Sequence, residues 1–232
     1  MRYLATAGLG GALLAVAMAA SVSPALADPV GLVQRLQNTV YGTPPHAARA
    51  PQHQRDGVDF NEVIQTAKNS AVEIGFVDGT NLTIGAEADV TIDAFVFDTD
   101  RSTGMAALTL SRGAFRWITG LMPADAVTIE TPTATITIRG TNVKIGVRAN
   151  GDTLLGLDEG EVKIVSKGKG DPVTLQGGEG ARVTPEGIQV FDDVLAVADA
   201  VVDDGWLNAI GIDNNRSRDH SGSGSGGNSS ND

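Results

Sequence analysis

An all-β fold, built of many short strands in a solenoid-like or sandwich arrangement, is what this chain of 232 residues predicts. Three observations carry that expectation. From about Ala71 onward apolar and polar residues alternate at period 2, the mark of half-buried strands. Turns rich in Gly and Asp interrupt the alternation every 8 to 15 residues or so. No stretch between residues 71 and 190 has the 3.6-residue apolar period of a long helix.

The elements follow in chain order. Residues 1–27 read as a signal peptide: Arg2 supplies the positive start, Leu4 to Ala20 the apolar run, and Pro24 precedes a small-residue cleavage site at Ala25-Leu26-Ala27. Twin arginines are absent, which points to the general secretion route and to a periplasmic or extracellular mature chain. With no Cys, lipid attachment through an N-terminal thiol is excluded, and so is a disulfide staple. After cleavage no stable membrane anchor is expected. Residues 28–57 read as an initial strand, with Val33, Leu36 and Val40, followed by a loose loop through Pro44, Pro45 and Pro51.

Residues 58–190 carry the main β domain. Val72, Ile74 and Phe76 share one face, and Asp78-Gly79 follows as a hairpin signal because both residues tolerate positive φ. Leu82 and Ile84 begin the return strand. The same device recurs in Val90, Ile92 and Val96, in Ala106, Leu108 and Leu110, in Phe115 and Trp117, and in Ala134, Ile136 and Ile138. Later strands are read at Val143 to Val147, Leu155 and Leu157, Val162 and Ile164, Val173 and Leu175, and Ala181 and Val183. The glycines at the turns are irregularly spaced, so no solenoid repeat is defined. Residues 191–213 change to a helical period through Val194, Leu195, Val197, Ala198, Val201 and Val202, with Asp192 or Asp193 as cap. Residues 214–232, rich in Ser, Gly, Asn and Asp, read as a disordered tail.

Charge narrows the function. The formal net charge is −11, and removing residues 1–27 with their single basic residue makes it −12. Such a surface repels phosphate backbones, so nucleic acid is not an expected partner. Lys163, Lys167 and Lys169 form the one dense basic patch and read as a solvated hairpin tip.

Chemistry-bearing constellations are weak. Asp98 to Gly104 loosely resembles a calcium loop, but the twelfth position, where a bidentate Glu belongs, is Thr109. The three histidines, His46, His53 and His220, fall in expected loops or the tail, which suits neither zinc nor a Ser-His-Asp triad. Gly177-Gly178-Glu179-Gly180 lacks the Lys and the following helix of a nucleotide loop and reads as a hairpin. Asp192, Asp193, Asp199, Asp203 and Asp204 read as a helix cap and a solvated helix face. No catalytic, cofactor-binding or metal-binding residues are therefore assigned, and no cofactor is expected.

Four segments resemble the FecR-type domain, especially its free-standing exported form. They are Phe76 to Gly85, Leu110 to Arg116, Thr131 to Asn142 and Leu157 to Val162, within a stretch from about Leu32 to Thr184. The positions that carry the resemblance are Asp78, Gly79, Gly113, Thr131, Pro132, Gly140, Thr141 and Gly160, and their residue types suit turns and strand entries rather than catalysis. The resemblance implies a non-enzymatic cell-envelope sensory or protein-interaction domain whose partner is another envelope protein. Familiar members span the membrane and control a sigma factor through a cytoplasmic segment. Here no such segment precedes the apolar run, so direct anti-sigma activity is not expected. Two other readings are a surface structural or adhesion component and a carbohydrate-binding module. The chain's two Trp, two Tyr and six Phe offer little aromatic platform for the last. Oligomeric state is not legible.

Overall fold

A computed structural model describes residues 29–192. They form an all-β structure with fifteen strands in one hydrogen-bonded sheet. The strands are β1 (Gly31–Gln37), β2 (Val40–Thr43), β3 (Ala50–Pro51), β4 (Gly57–Val58), β5 (Val63–Thr66), β6 (Ala71–Phe76), β7 (Asn81–Ile84) and β8 (Asp89–Asp98). They continue with β9 (Thr103–Ile118), β10 (Val127–Glu130), β11 (Ala134–Val147), β12 (Thr153–Ser166), β13 (Val173–Gln176), β14 (Gly180–Thr184) and β15 (Gly187–Phe191). The signal-peptide reading, the helix beyond Asp192 and the tail concern residues outside this range.

The sheet folds over into two layers because three long strands take part in both. Residues 113–118 of β9, 142–147 of β11 and 153–159 of β12 pair with one another and with β7 and β14, giving layer one the order β4-β1-β6-β7-β9-β11-β12-β14-β15. The other halves of the same strands build layer two in the order β3-β2-β5-β8-β9-β10-β11-β12-β13. Within it β10 runs parallel to β9, after residues 119–126 carry the chain back from layer one. Three glycines read as turns, Gly113, Gly140 and Gly160, are instead bends inside continuous strands. All three have positive φ, at 106°, 56° and 90°. A left-handed residue that adds local twist lets one strand change layer without ending.

Residues 31–58 contribute four strands rather than an initial strand and a loose loop. Val33, Val40 and Val58 are buried in the common core. Pro51 sits on β3, an edge strand, where a missing N–H costs no ladder bond.

Apolar residues at alternate positions point between the layers. Phe76 of layer one stacks on Phe95 of layer two with ring centroids 4.3 Å apart and planes 9° from parallel. Trp117 lies 5.8 Å from Phe76 and is 1% exposed. One continuous cluster runs from Val33 to Val183, so the two layers share a single core.

A buried carboxyl closes the β2 end of layer two. Glu62 is 1% exposed and accepts hydrogen bonds from the Asp59 N–H at 2.8 Å and from Gln52 Nε2 at 2.7 Å. Gln52 Oε1 is buried without a partner. Burial pushes the Glu62 carboxyl above its ordinary value, against the pull of those two hydrogen bonds. A raised native pKa means that the folded chain binds this proton more tightly than the unfolded one. The group's stabilising contribution is then complete below the ordinary carboxylate range and lost as pH rises through the raised value. Glu62→Gln, with Gln52 flipped to accept from the new amide, is expected to stabilise the chain by up to about 1 kcal/mol at pH 7. That gap should close below about pH 4, near the reference Glu value. Thermal melts of both chains from pH 7 to 3.5 check this; a gap that persists in acid would show that the carboxyl's charge is not its cause.

Candidate functional site

The resemblance-bearing residues fall into three groups. Asp78 and Gly79 form the turn between β6 and β7, with Gly79 at φ 83°. The Asp78 side chain turns inward and is 2% exposed. Its Oδ1 accepts from the Thr80 N–H at 2.8 Å, and its Oδ2 accepts from the Thr80 hydroxyl at 2.7 Å and from the Met122 N–H at 3.1 Å. The Thr80 hydroxyl in turn accepts from the Gly120 N–H at 2.9 Å. This knot pins the hairpin to the connection 119–126. Gly120 lies so close that a Cβ there would sit 2.4 Å from the Thr80 N and 2.5 Å from the Asp78 carbonyl oxygen. Sequence reading did not single out Thr80, two residues from Asp78, nor Gly120 and Met122, whose links to this hairpin cross 40 and 44 residues.

Thr131 and Pro132 belong to the turn from β10 into β11. The Thr131 Oγ1 accepts from the Ala134 N–H at 3.0 Å and from the Thr153 hydroxyl at 2.7 Å, while Thr133 and Thr153 share a hydrogen bond at 2.8 Å. All three threonines are at most 5% exposed. The Thr131 carbonyl accepts from Lys167 Nζ at 2.7 Å, and the same ammonium meets Glu130 at 2.6 Å. Three hydroxyls in series thus stitch the start of β11 to the start of β12, and none is presented to solvent as a nucleophile. Thr133 and Thr153 join the group although only Thr131 was singled out.

Gly140, Thr141 and Gly160 lie together where β11 and β12 bend. A Cβ on Gly160 would stand 2.2 Å from the Gly140 carbonyl oxygen, whereas one on Gly140 would meet nothing within 4 Å. The Gly177 N–H donates to the Gly160 carbonyl at 3.1 Å, so the β13–β14 turn stacks on the same bends. Gly113, on β9, is apart from them and packs against Ala88.

The remaining sequence candidates occupy turns. The Asp98 carboxylate accepts from the Asp100 and Arg101 N–H groups at 3.0 and 3.2 Å and pairs with Arg101 Nη1 at 2.9 Å, so its own hairpin occupies it. Gly177 to Glu179 turn β13 into β14. His46 and His53 are exposed, and His53 faces Asp56 at 3.3 Å. His220, Asp193, Asp199, Asp203 and Asp204 lie outside the described residues. Among the described residues no group of three or more His, Asp or Glu is placed to hold a metal ion, and no helix is long and apolar enough to cross a membrane.

What the surface does offer is strand edge. Layer one ends at β4 and β15, layer two at β3 and β13. β3 and β4 have two residues each, β3 contains Pro51, and β13 has four residues preceded by Pro172. β15, with the sequence Gly187-Ile188-Gln189-Val190-Phe191, has five residues, no charge and no proline, and Val190 is 41% exposed. Short length, charge and Pro are the usual protections of an edge, and β15 lacks all three. A shallow groove of ≈ 420 Å³ runs beside it, lined by Arg182, Thr184, Glu186 and the first residues of β15.

Among the described residues, those of the motif are committed to bends and turns, and β15 is an edge that no other described strand pairs on its outer side. Residues 62–176 match the family model described as FecR protein, which makes that stretch a FecR domain. The solved structures similar to it include two crystal structures, at 2.50 and 1.65 Å, of a protein from Parabacteroides distasonis provisionally described as an anti-sigma factor. They share 13% and 12% identity with TM-scores of 0.47 and 0.45, and each match covers 56% of this chain. The chain spans 59% of the length of that protein. No curated protein matches the chain.

Proposed function

We propose that this chain is an exported, non-enzymatic FecR-type module of the cell envelope, which senses or relays by holding another envelope protein along β15. The match of residues 62–176 to the FecR family model supports the regulatory class. The single observation that carries the mode of action is the β15 edge, whose unprotected backbone suits addition of a partner strand. The residues of the family motif serve the frame: their side chains are spent on internal hydrogen bonds or are absent altogether, as at Gly113, Gly140 and Gly160. Direct anti-sigma activity is not part of this role. The signal-peptide pattern of residues 1–27 supports export in this reading, and mass spectrometry of the mature chain should find Asp28 at its start.

Placing a photo-crosslinking residue at Gln189 in the native host tests the edge. The expected result is a covalent adduct with a second envelope protein, and none from the same residue placed at Lys163 on the outer face of layer two. Adduct formation at Lys163 alone, or at neither position, would remove β15 as the contact.

A further inference from the structure

The register of β15 decides which of its groups a partner strand can meet. Thr184 and Gly187 face each other across a two-residue turn, and pairing then runs Val183 with Ile188, Arg182 with Gln189 and Ala181 with Val190. Residues that close a two-residue turn exchange both backbone hydrogen bonds, and such pairs alternate with pairs that exchange none. Gly187, Gln189 and Phe191 therefore spend their backbone groups on β14, while the N–H and C=O groups of Ile188 and Val190 point out along the free edge. The Ile188 and Val190 side chains share a face with Val183 and Ala181, which are buried, so they stand at the open margin of the core. Gln189 points to the other face, beside Arg182. Negative charge brackets the edge. Glu186 in the turn and Asp192 just past the strand are exposed, and neither forms an ion pair with a described residue. Arg182, the cation beside Gln189, is already paired with Asp152 at 2.6 Å. Lys169 meets the turn through its backbone, its N–H donating to the Pro185 carbonyl at 3.1 Å.

We infer, on the footing that β15 takes a partner by strand addition, that the partner segment is apolar in the middle and basic at both ends. It carries apolar residues opposite Ile188 and Val190, and Lys or Arg one step further along the same alternation at each end, opposite Glu186 and Asp192. Antiparallel addition lets the incoming strand exchange backbone bonds with Ile188 and Val190. Residues directly opposite these two project over the open margin of the core, where apolar side chains remove Ile188 and Val190 from water. Glu186 and Asp192 are six residues apart, so the two cations of the partner are six apart as well, with the residue midway between them opposite Gln189. Opposite charges that face across strands attract, and like charges repel. The same rule disfavours a second copy of this chain. Two β15 strands centred on Gln189 would set Glu186 of each opposite Asp192 of the other, so that like charges face each other twice. The formal net charge of −11 adds long-range attraction for a basic segment.

Disulfide capture by the full chain carrying Gln189→Cys tests this pattern, because the natural sequence has no Cys and the new thiol stands alone. Gln189 is exposed, and facing residues of a pair that exchanges no backbone bonds lie about 4.5 Å apart at Cα, within reach of a disulfide. Three end-blocked heptapeptides with a central Cys are equilibrated with the chain in 2-mercaptoethanol. One is Lys-Thr-Val-Cys-Val-Thr-Lys, one has Glu at both ends, and one has Ser in place of both Val. The first should be captured about tenfold more than either of the others. In the chain that also carries Glu186→Lys and Asp192→Lys, the preference between Lys and Glu ends should invert. A preference for Lys ends that survives this double change would come from overall charge and would overturn the inference. Equal capture of Lys-ended and Glu-ended peptides, with the Ser peptide lagging, would overturn the basic ends and leave strand addition at β15 standing. Equal capture of all three would remove strand addition at β15 altogether. Chain-to-chain disulfides in place of peptide adducts would assign the edge to a second copy and overturn the basic partner.

Discussion

Gly160→Ala is expected to destabilise the chain by more than about 3 kcal/mol, whereas Gly140→Ala should cost about 1 kcal/mol. Both glycines have positive φ, 90° and 56°, so alanine is strained at either. The difference lies in what the new methyl meets. At Gly140 it meets open space; at Gly160 it would be driven to 2.2 Å from a carbonyl oxygen of the neighbouring strand, backbone that cannot swing aside. For a domain of this size each 1 kcal/mol lowers the melting temperature by about 2–4 °C, so the two alanine variants should separate clearly in urea and in heat. Equal losses would mean that the two bends are not in contact as described.

Asp78→Ala should cost about 3 kcal/mol or more. The change strips an acceptor from two buried N–H groups, of Thr80 and Met122, and from the Thr80 hydroxyl. Each buried donor left unpaired costs about 1–3 kcal/mol. Asp78→Asn retains one acceptor oxygen but turns an amide toward a donor, so it should recover only part of the loss. Thr80→Ser, which keeps the hydroxyl, should stay near wild type. Hydrogen exchange adds a local check: in Asp78→Ala the amides of residues 120–122 should exchange faster, while those of β13 and β14 hold. A uniform speeding of all amides would indicate that Asp78 supports the whole fold rather than this one connection.

Much of the frame was legible because burial on a strand leaves a period of two. Val72, Ile74 and Phe76, Leu108 and Leu110, and Ile136 and Ile138 were read as inward-facing, and all are at most 5% exposed. The Asp78-Gly79 hairpin was legible from its conformational preference alone. The long strands were not. A glycine bend and a glycine turn make the same demand on φ, so Gly113, Gly140 and Gly160 looked like strand ends although β9, β11 and β12 run straight through them. The early strands were hidden by Pro44, Pro45 and Pro51, which mark loops and edges alike. Hydrogen bonds between distant residues leave no local trace, so neither the Asp78 link to Met122 nor that of Thr131 to Thr153 could be anticipated. The helix read from Val194 onward lies outside the described residues, and Phe191, at the start of that reading, belongs to β15.

The bent strands also govern how the domain would carry load. A partner strand on β15 pulls first on β14 and then on β12, and β12 does not end in layer one. Its second half is laced to β11 and β13 on the opposite side of the core. Tension entering at one margin is therefore shared by both walls, as in a hoop, and neither wall can be peeled away while the other stands.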